Sequence, residues 1–203
     1  MDTSPSQTKR NRRVVVIFLL GVVVFTCVMT FGVGPRIMDM RHEVENRQLL
    51  YKCRAVLDAN TLEVQLRGWE RPNEHPMVTL RIAGLDTPPL LGAEDPDLVA
   101  WAERHGVSPG HAARMANSAH RTLVAFIRRQ NMVLKPADGQ ELTGDLPQGT
   151  VAHIFVGGTD VAQKQLLQGL AAHDTETPHL YTERYAAAEA EARAAKRGLW
   201  SEN

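Results

Sequence analysis

Apolar and polar residues come close to alternating along 49–57, 61–67 and 77–85, and two further short apolar-rich runs follow at 131–135 and 150–156. A period of two puts every second side chain on one face, so five short strands with a shared buried side are expected. Asp58-Ala59-Asn60 between the first two runs is built of turn formers. The stretch from Gly68 to Pro76, with Trp69, Pro72 and Asn73, reads as a longer loop. Elsewhere the period lengthens. Residues 96–105 follow a capping Asp95, begin on proline and stop at Gly106. Residues 109–129 follow Ser108, with Met115, Leu123, Val124 and Ile127 as their buried stripe. Helices are also expected over 160–170 and over the alanine-rich 182–197, with Leu199 and Trp200 folding back on the body.

One segment has no period because it is apolar throughout. Residues 14–34 are long enough to cross a hydrocarbon core as a helix. Lys9, Arg10, Arg12 and Arg13 precede this run and only Arg36 closely follows it, which keeps the N-terminus in the cytoplasm and sends the remainder across. An uncleaved anchor is expected over a cleaved signal peptide, because the run exceeds a usual signal core and Pro35 would follow a cut after Gly34. The chain thus divides into a basic cytoplasmic segment (1–13), a transmembrane anchor (14–34), a polar connector (35–48) and an extracytoplasmic domain (49–203). A single-pass membrane protein is the expectation.

The formal net charge of zero hides a division. Five of the 23 basic and one of the 23 acidic residues lie at or before Arg36, leaving 18 basic against 22 acidic groups beyond it. Binding a polyanion rests on Lys and Arg neutralising phosphates, so the domain's overall field does not recruit nucleic acid, although a local basic cleft remains compatible with it. Cys27 falls in the apolar run and Cys53 in a strand, which excludes a disulfide within the domain.

The stretch Leu80-Arg81-Ile82-Ala83-Gly84-Leu85-Asp86-Thr87-Pro88, preceded by Asp58-Ala59-Asn60-Thr61, resembles the thermonuclease (staphylococcal-nuclease-like) family, and the likeness continues through 161–171 and 186–202. The resemblance implies an α+β fold: a five-stranded barrel of the oligonucleotide/oligosaccharide-binding (OB) type with accompanying helices. It further implies calcium-dependent hydrolysis of DNA and RNA by a general base, a cation held by carboxylates and a threonine carbonyl, and two arginines.

On that comparison the chain keeps Arg81, Asp86 and Thr87 and loses much else. Pro89 occupies the position of the base, Gly149 that of the second arginine, and Asn60 that of a carboxylate ligand. No Lys or Arg lies between Lys135 and Lys164, so a slip in register cannot restore the arginine. A metal site would draw on Asp86, Thr87, Asn60 and Asp58. It would be weakened or lost, since charge count controls calcium affinity, and no other cofactor is expected. Asp58 and Asn60 also have a plain reading as turn residues. Arg81 could grip a phosphate or another anionic ligand, or pair with Asp86. Residues 90–108 exceed the usual loop after Asp-Thr-Pro, and could be a surface insertion or a plug that contacts a partner through Trp101. His153 reads as packing. The expected function is a catalytically degenerate, membrane-anchored binding or assembly module. The alternatives are an active tethered nuclease and a structural subunit of a membrane complex.

Overall fold

The computed structural model describes residues 49–67, 75–128, 130–139 and 146–202. The expected basic segment, anchor and connector (1–48) lie outside these residues. No helix among the described residues is long and apolar enough to cross a membrane.

Strand β1 (Leu50–Val56) lies antiparallel between β2 (Thr61–Leu66) and β5 (Asn131–Pro136). On one side β2 continues to β3 (Val78–Ile82), and on the other β5 continues to β6 (Thr150–Val156). Parallel pairing of β3 with β6, Leu80 opposite Thr150 and Ile82 opposite Ala152, closes the barrel. Alternation explains what fills it: Leu62, Val64, Leu80, Ile82, Met132 and Ile154 are buried, whereas Thr61, Glu63, Thr79 and Arg81 are not. The five strands sit where the alternating pattern predicts, in the OB-type order.

The third run differs from expectation at its end. Instead of extending to Leu85, β3 stops at Ile82, the chain turns through Ala83-Gly84, and β4 (Leu85–Asp86) leaves the barrel to pair with β8 (Ala172–His173). Gly84 permits this turn. Its φ is +75°, and a Cβ there would stand 2.5 Å from the Tyr185 ring.

Helices α1 (Pro96–His105) and α2 (Pro109–Ile127) fill the connection between β4 and β5, with Asp95 and Ser108 as their side-chain caps. A two-residue β7 (Thr159–Asp160) leads into α3 (Val161–Leu167), and α4 (Thr182–Ala194) precedes a 3₁₀ turn over Gly198–Glu202. Both α3 and α4 stop short of the expected 170 and 197. The Leu170 amide already turns back to the Gln165 carbonyl, and Lys196 adopts a φ of 51°. Besides the barrel core there is a second one, in which Leu98, Trp101 and Ala102 of α1 pack with Ala112, Ala172, Ala192, Leu199 and Trp200. The folded-back C-terminus therefore meets the insertion.

Candidate functional site

Residue Asn60 brings the turn after β1 against the start of β4. Asp58 Oδ1 accepts from the Asn60 amide at 2.7 Å, an Asx turn that fixes the reversal. The side chain of Asn60, 9% exposed, donates through Nδ2 to the Leu85 carbonyl at 3.2 Å and accepts through Oδ1 from Thr61 Oγ1 at 3.0 Å. Its own carbonyl accepts from the Ile82 amide at 2.8 Å. The orientation of the amide follows from these partners, because the Leu85 carbonyl can only accept. A carboxylate at this position would set oxygen against oxygen. The Asn60 amide thus ties the turn that Asp58 fixes to the start of the Leu85-Asp86 strand.

The Asp86 side chain is also engaged on both oxygens. Oδ1 accepts from Trp101 Nε1 at 2.7 Å and Oδ2 lies 2.8 Å from His105 Nε2, with Arg104 Nη2 at 3.9 Å from Oδ2. All three partners belong to α1. Trp101 and His105 are four residues apart, so one helix face carries both, and their rings lie with centroids 4.2 Å apart. Burial alone would raise the Asp86 pKa. The hydrogen bonds from His105 and Trp101, with the charges of His105 and Arg104, outweigh burial and hold the carboxyl below its usual range.

The insertion 90–108 therefore reaches Asp86, and it does so with donors. Of its carboxylates, Glu94, Asp97 and Glu103 are exposed, while Asp95 caps α1 by accepting from the Asp97 amide at 3.0 Å. Trp101, considered above as a partner contact, is only 3% exposed and faces inward on the second core.

Of the remaining positions, Thr87 and Pro89 are half-buried beside Asp86. Gly149 sits in an exposed turn at φ +75°, its amide donating to the Thr79 carbonyl at 2.8 Å. Arg81 is exposed on β3 in register with Thr61, the neighbour of Asn60, and no ion pair or hydrogen bond holds its guanidinium among the described residues. The expected alternative, an Arg81–Asp86 pair, is not formed; α1 supplies the partners of Asp86 instead. No group of three or more His, Cys, Asp or Glu among the described residues is placed to hold a metal ion.

A second polar assembly carried no signal in the sequence. Asp160 accepts from the Tyr185 hydroxyl at 3.0 Å to each oxygen and pairs with Arg184. A carboxylate only accepts, so Tyr185 donates to Asp160 and its oxygen accepts the hydrogen bond of His153 Nδ1–H, 2.9 Å away. That assigns the tautomer and leaves His153 Nε2 as a buried lone pair with no partner among the described residues. Nearby, His173 Nε2 and His179 Nε2 face each other at 3.1 Å. An open groove of about 590 Å³, lined by Phe155, Thr159, Asp160, Lys164, Arg184 and Arg197 among others, lies toward the far end of β6 from Gly149.

A family model described as staphylococcal nuclease homologue matches residues 79–202, from within β3 to the C-terminal turn. The turn bearing Asp58 and Asn60 precedes the matched region. A comparison with curated proteins gives no match.

Proposed function

The chain belongs to the staphylococcal nuclease family, and from that premise we propose that it is a membrane-anchored member whose hydrolytic chemistry is lost and whose domain serves as a binding or assembly module. The observation that carries this reading is the grip of Trp101 and His105 on both oxygens of Asp86. Calcium takes six to eight oxygen ligands. Here the Asp86 oxygens already accept from an indole and an imidazole, and Asn60 offers its nitrogen, not an oxygen, to the Leu85 carbonyl. Each Asp86 oxygen keeps a further lone pair, but with the Asn60 amide committed elsewhere and no group of three or more His, Cys, Asp or Glu among the described residues placed around it, the set fits a calcium ion poorly. Pro89 can neither take a proton from water nor donate one, and the Gly149 position offers no cation to developing charge.

A tethered calcium-dependent nuclease is the second reading, and one observation favours it: Arg81 is exposed on β3, with no partner for its guanidinium among the described residues. It equally suits an anionic ligand bound without cleavage. The two readings separate by incubating the purified full chain with single-stranded DNA, with and without calcium. No calcium-dependent cleavage is expected. Robust cleavage that disappears in Arg81→Ala or Asp86→Ala would establish the nuclease.

A further inference from the structure

One face of the domain carries a row of cations with few acidic neighbours. Over its 19 residues α2 has no Asp or Glu. Arg114, Arg121 and the capping Arg128 recur every seven residues and are all exposed, opposite the buried Ala112, Ala116, Ala119, Leu123 and Ile127. Seven residues make nearly two turns, so the three stand in line over about 21 Å. By contrast α4 mixes its charges, with Arg193 paired to Glu189 one turn away. On the ridge only Arg114 has an acidic partner, Glu202 at 3.3 Å, which also meets Ser108 and His111. Arg121 and Arg128 have none among the described residues.

The ridge ends at a particular corner. Three residues after Arg128, Asn131 opens β5, stands in register with Lys52, and accepts from Arg67 Nη1 at 3.2 Å. The Arg67 amide bonds the Leu50 carbonyl at 2.8 Å, so the cations Lys52, Arg67 and Arg128 surround the place where β1 begins. From there the chain runs back through the connector 35–48 to the apolar run. Fully extended, a connector of that length reaches about 50 Å at most.

We propose that this ridge and corner dock the domain on the phosphates of anionic phospholipids in the membrane that holds the chain, an inference that rests on the anchor of the proposed function. A straight line of guanidinium groups on a convex helix meets a flat array of phosphates along its whole length, and each fork can bind a phosphate in two-point fashion. The short tether keeps the local headgroup concentration high, so contacts that are individually weak suffice. Although the domain as a whole carries an acidic excess, this face is attracted, and docking sets its orientation.

The test uses the full chain reconstituted into vesicles of phosphatidylcholine, alone or mixed with phosphatidylglycerol. A dye at Asn117→Cys on the α2 surface, with Cys27 and Cys53 replaced by serine, reports energy transfer to headgroup-labelled lipid. High transfer is expected only with phosphatidylglycerol. It should be lost on raising the salt and in the variant R114Q/R121Q/R128Q. Equal transfer in both lipids, or an unchanged triple variant, overturns the docking. Carbonate washing reads the anchor separately: a chain that washes out refutes the anchor. Sedimentation of that free chain with phosphatidylglycerol vesicles then decides whether the ridge binds lipid, arginine-dependent binding upholding it and no binding refuting it. Arginine-dependent binding of duplex DNA, with no response to phosphatidylglycerol, would assign the ridge to nucleic acid and overturn the proposal.

Discussion

At the scale of single residues, Asn60 is fitted into a local network through its amide. Asn60 differs from aspartate by one donor, and that donor is bonded to the Leu85 carbonyl. Asn60→Asp should therefore destabilise the fold by about 1–3 kcal/mol, the penalty for an unmet buried polar group, measurable as a shift in the urea midpoint at neutral pH. An unchanged midpoint would mean that the amide bridge contributes nothing. His153 supports a second prediction, on pH. It is fully buried, and burial above all, with the charges of His179, Arg184 and Lys135, lowers its pKa from 6.5 to about 4. Between these values the unfolded chain binds a proton that the folded one refuses, so stability falls as pH drops from about 6.5 toward 4. At ~1.4 kcal/mol per pKa unit the loss is on the order of 3 kcal/mol. His173 and His179 are lowered mainly by burial too and act in the same direction. Urea unfolding across that range should show the slope, flattened in His153→Gln; equal slopes would exclude His153 as its source.

At the scale of elements, the strand positions were legible because a half-buried sheet leaves a period of two, and the helices because Asp95, Ser108 and Gly106 punctuate them. What failed was the end of β3. Ile82 and Leu85 are both apolar and both buried, yet they serve different sheets, and nothing local tells that the partner of Leu85 is His173. The same holds for the site. Arg81, Asp86 and Asn60 could be located by motif, and the spacing of Trp101 and His105 shows that they share a helix face. Their target could not be read, since the contact with Asp86 depends on how α1 packs on the second core. Gly84 is where this packing is most exposed to test. An alanine there would meet the Tyr185 ring at 2.5 Å and His179 Nε2 at 2.9 Å in a left-handed conformation. Strain and overpacking together should cost about 2–5 kcal/mol. Calorimetry of Gly84→Ala showing a melting temperature near that of the parent would argue that β4 and α4 are not coupled through this contact.

At the scale of the whole molecule, Asp86 and the insertion are bonded into one structure, and this bears on whether the proposed loss of hydrolytic chemistry can be reversed. Asn60→Asp, Pro89→Glu and Gly149→Arg would return a charged ligand, a base and a cation to the positions the family uses. A base supplies ~10²–10⁴ in rate and a transition-state donor ~3–4 kcal/mol, so an open frame would gain measurably. Yet the triple variant leaves Asp86 bonded to Trp101 and His105 from a helix rooted in the second core through Leu98, Trp101 and Ala102. A cation would have to share Asp86 with both donors, which already draw on its charge, before the new groups could act on a phosphate. The triple variant alone is therefore expected to remain inactive. Adding Trp101→Phe and His105→Ala, which removes both donors while keeping an aromatic ring in the core, should produce calcium-dependent cleavage of single-stranded DNA and calorimetrically detectable calcium binding. If the triple variant alone cleaves as well as the fivefold one, the hold of α1 on Asp86 is no barrier. If neither binds calcium while both remain folded, the deficit lies in the frame and not in these five side chains.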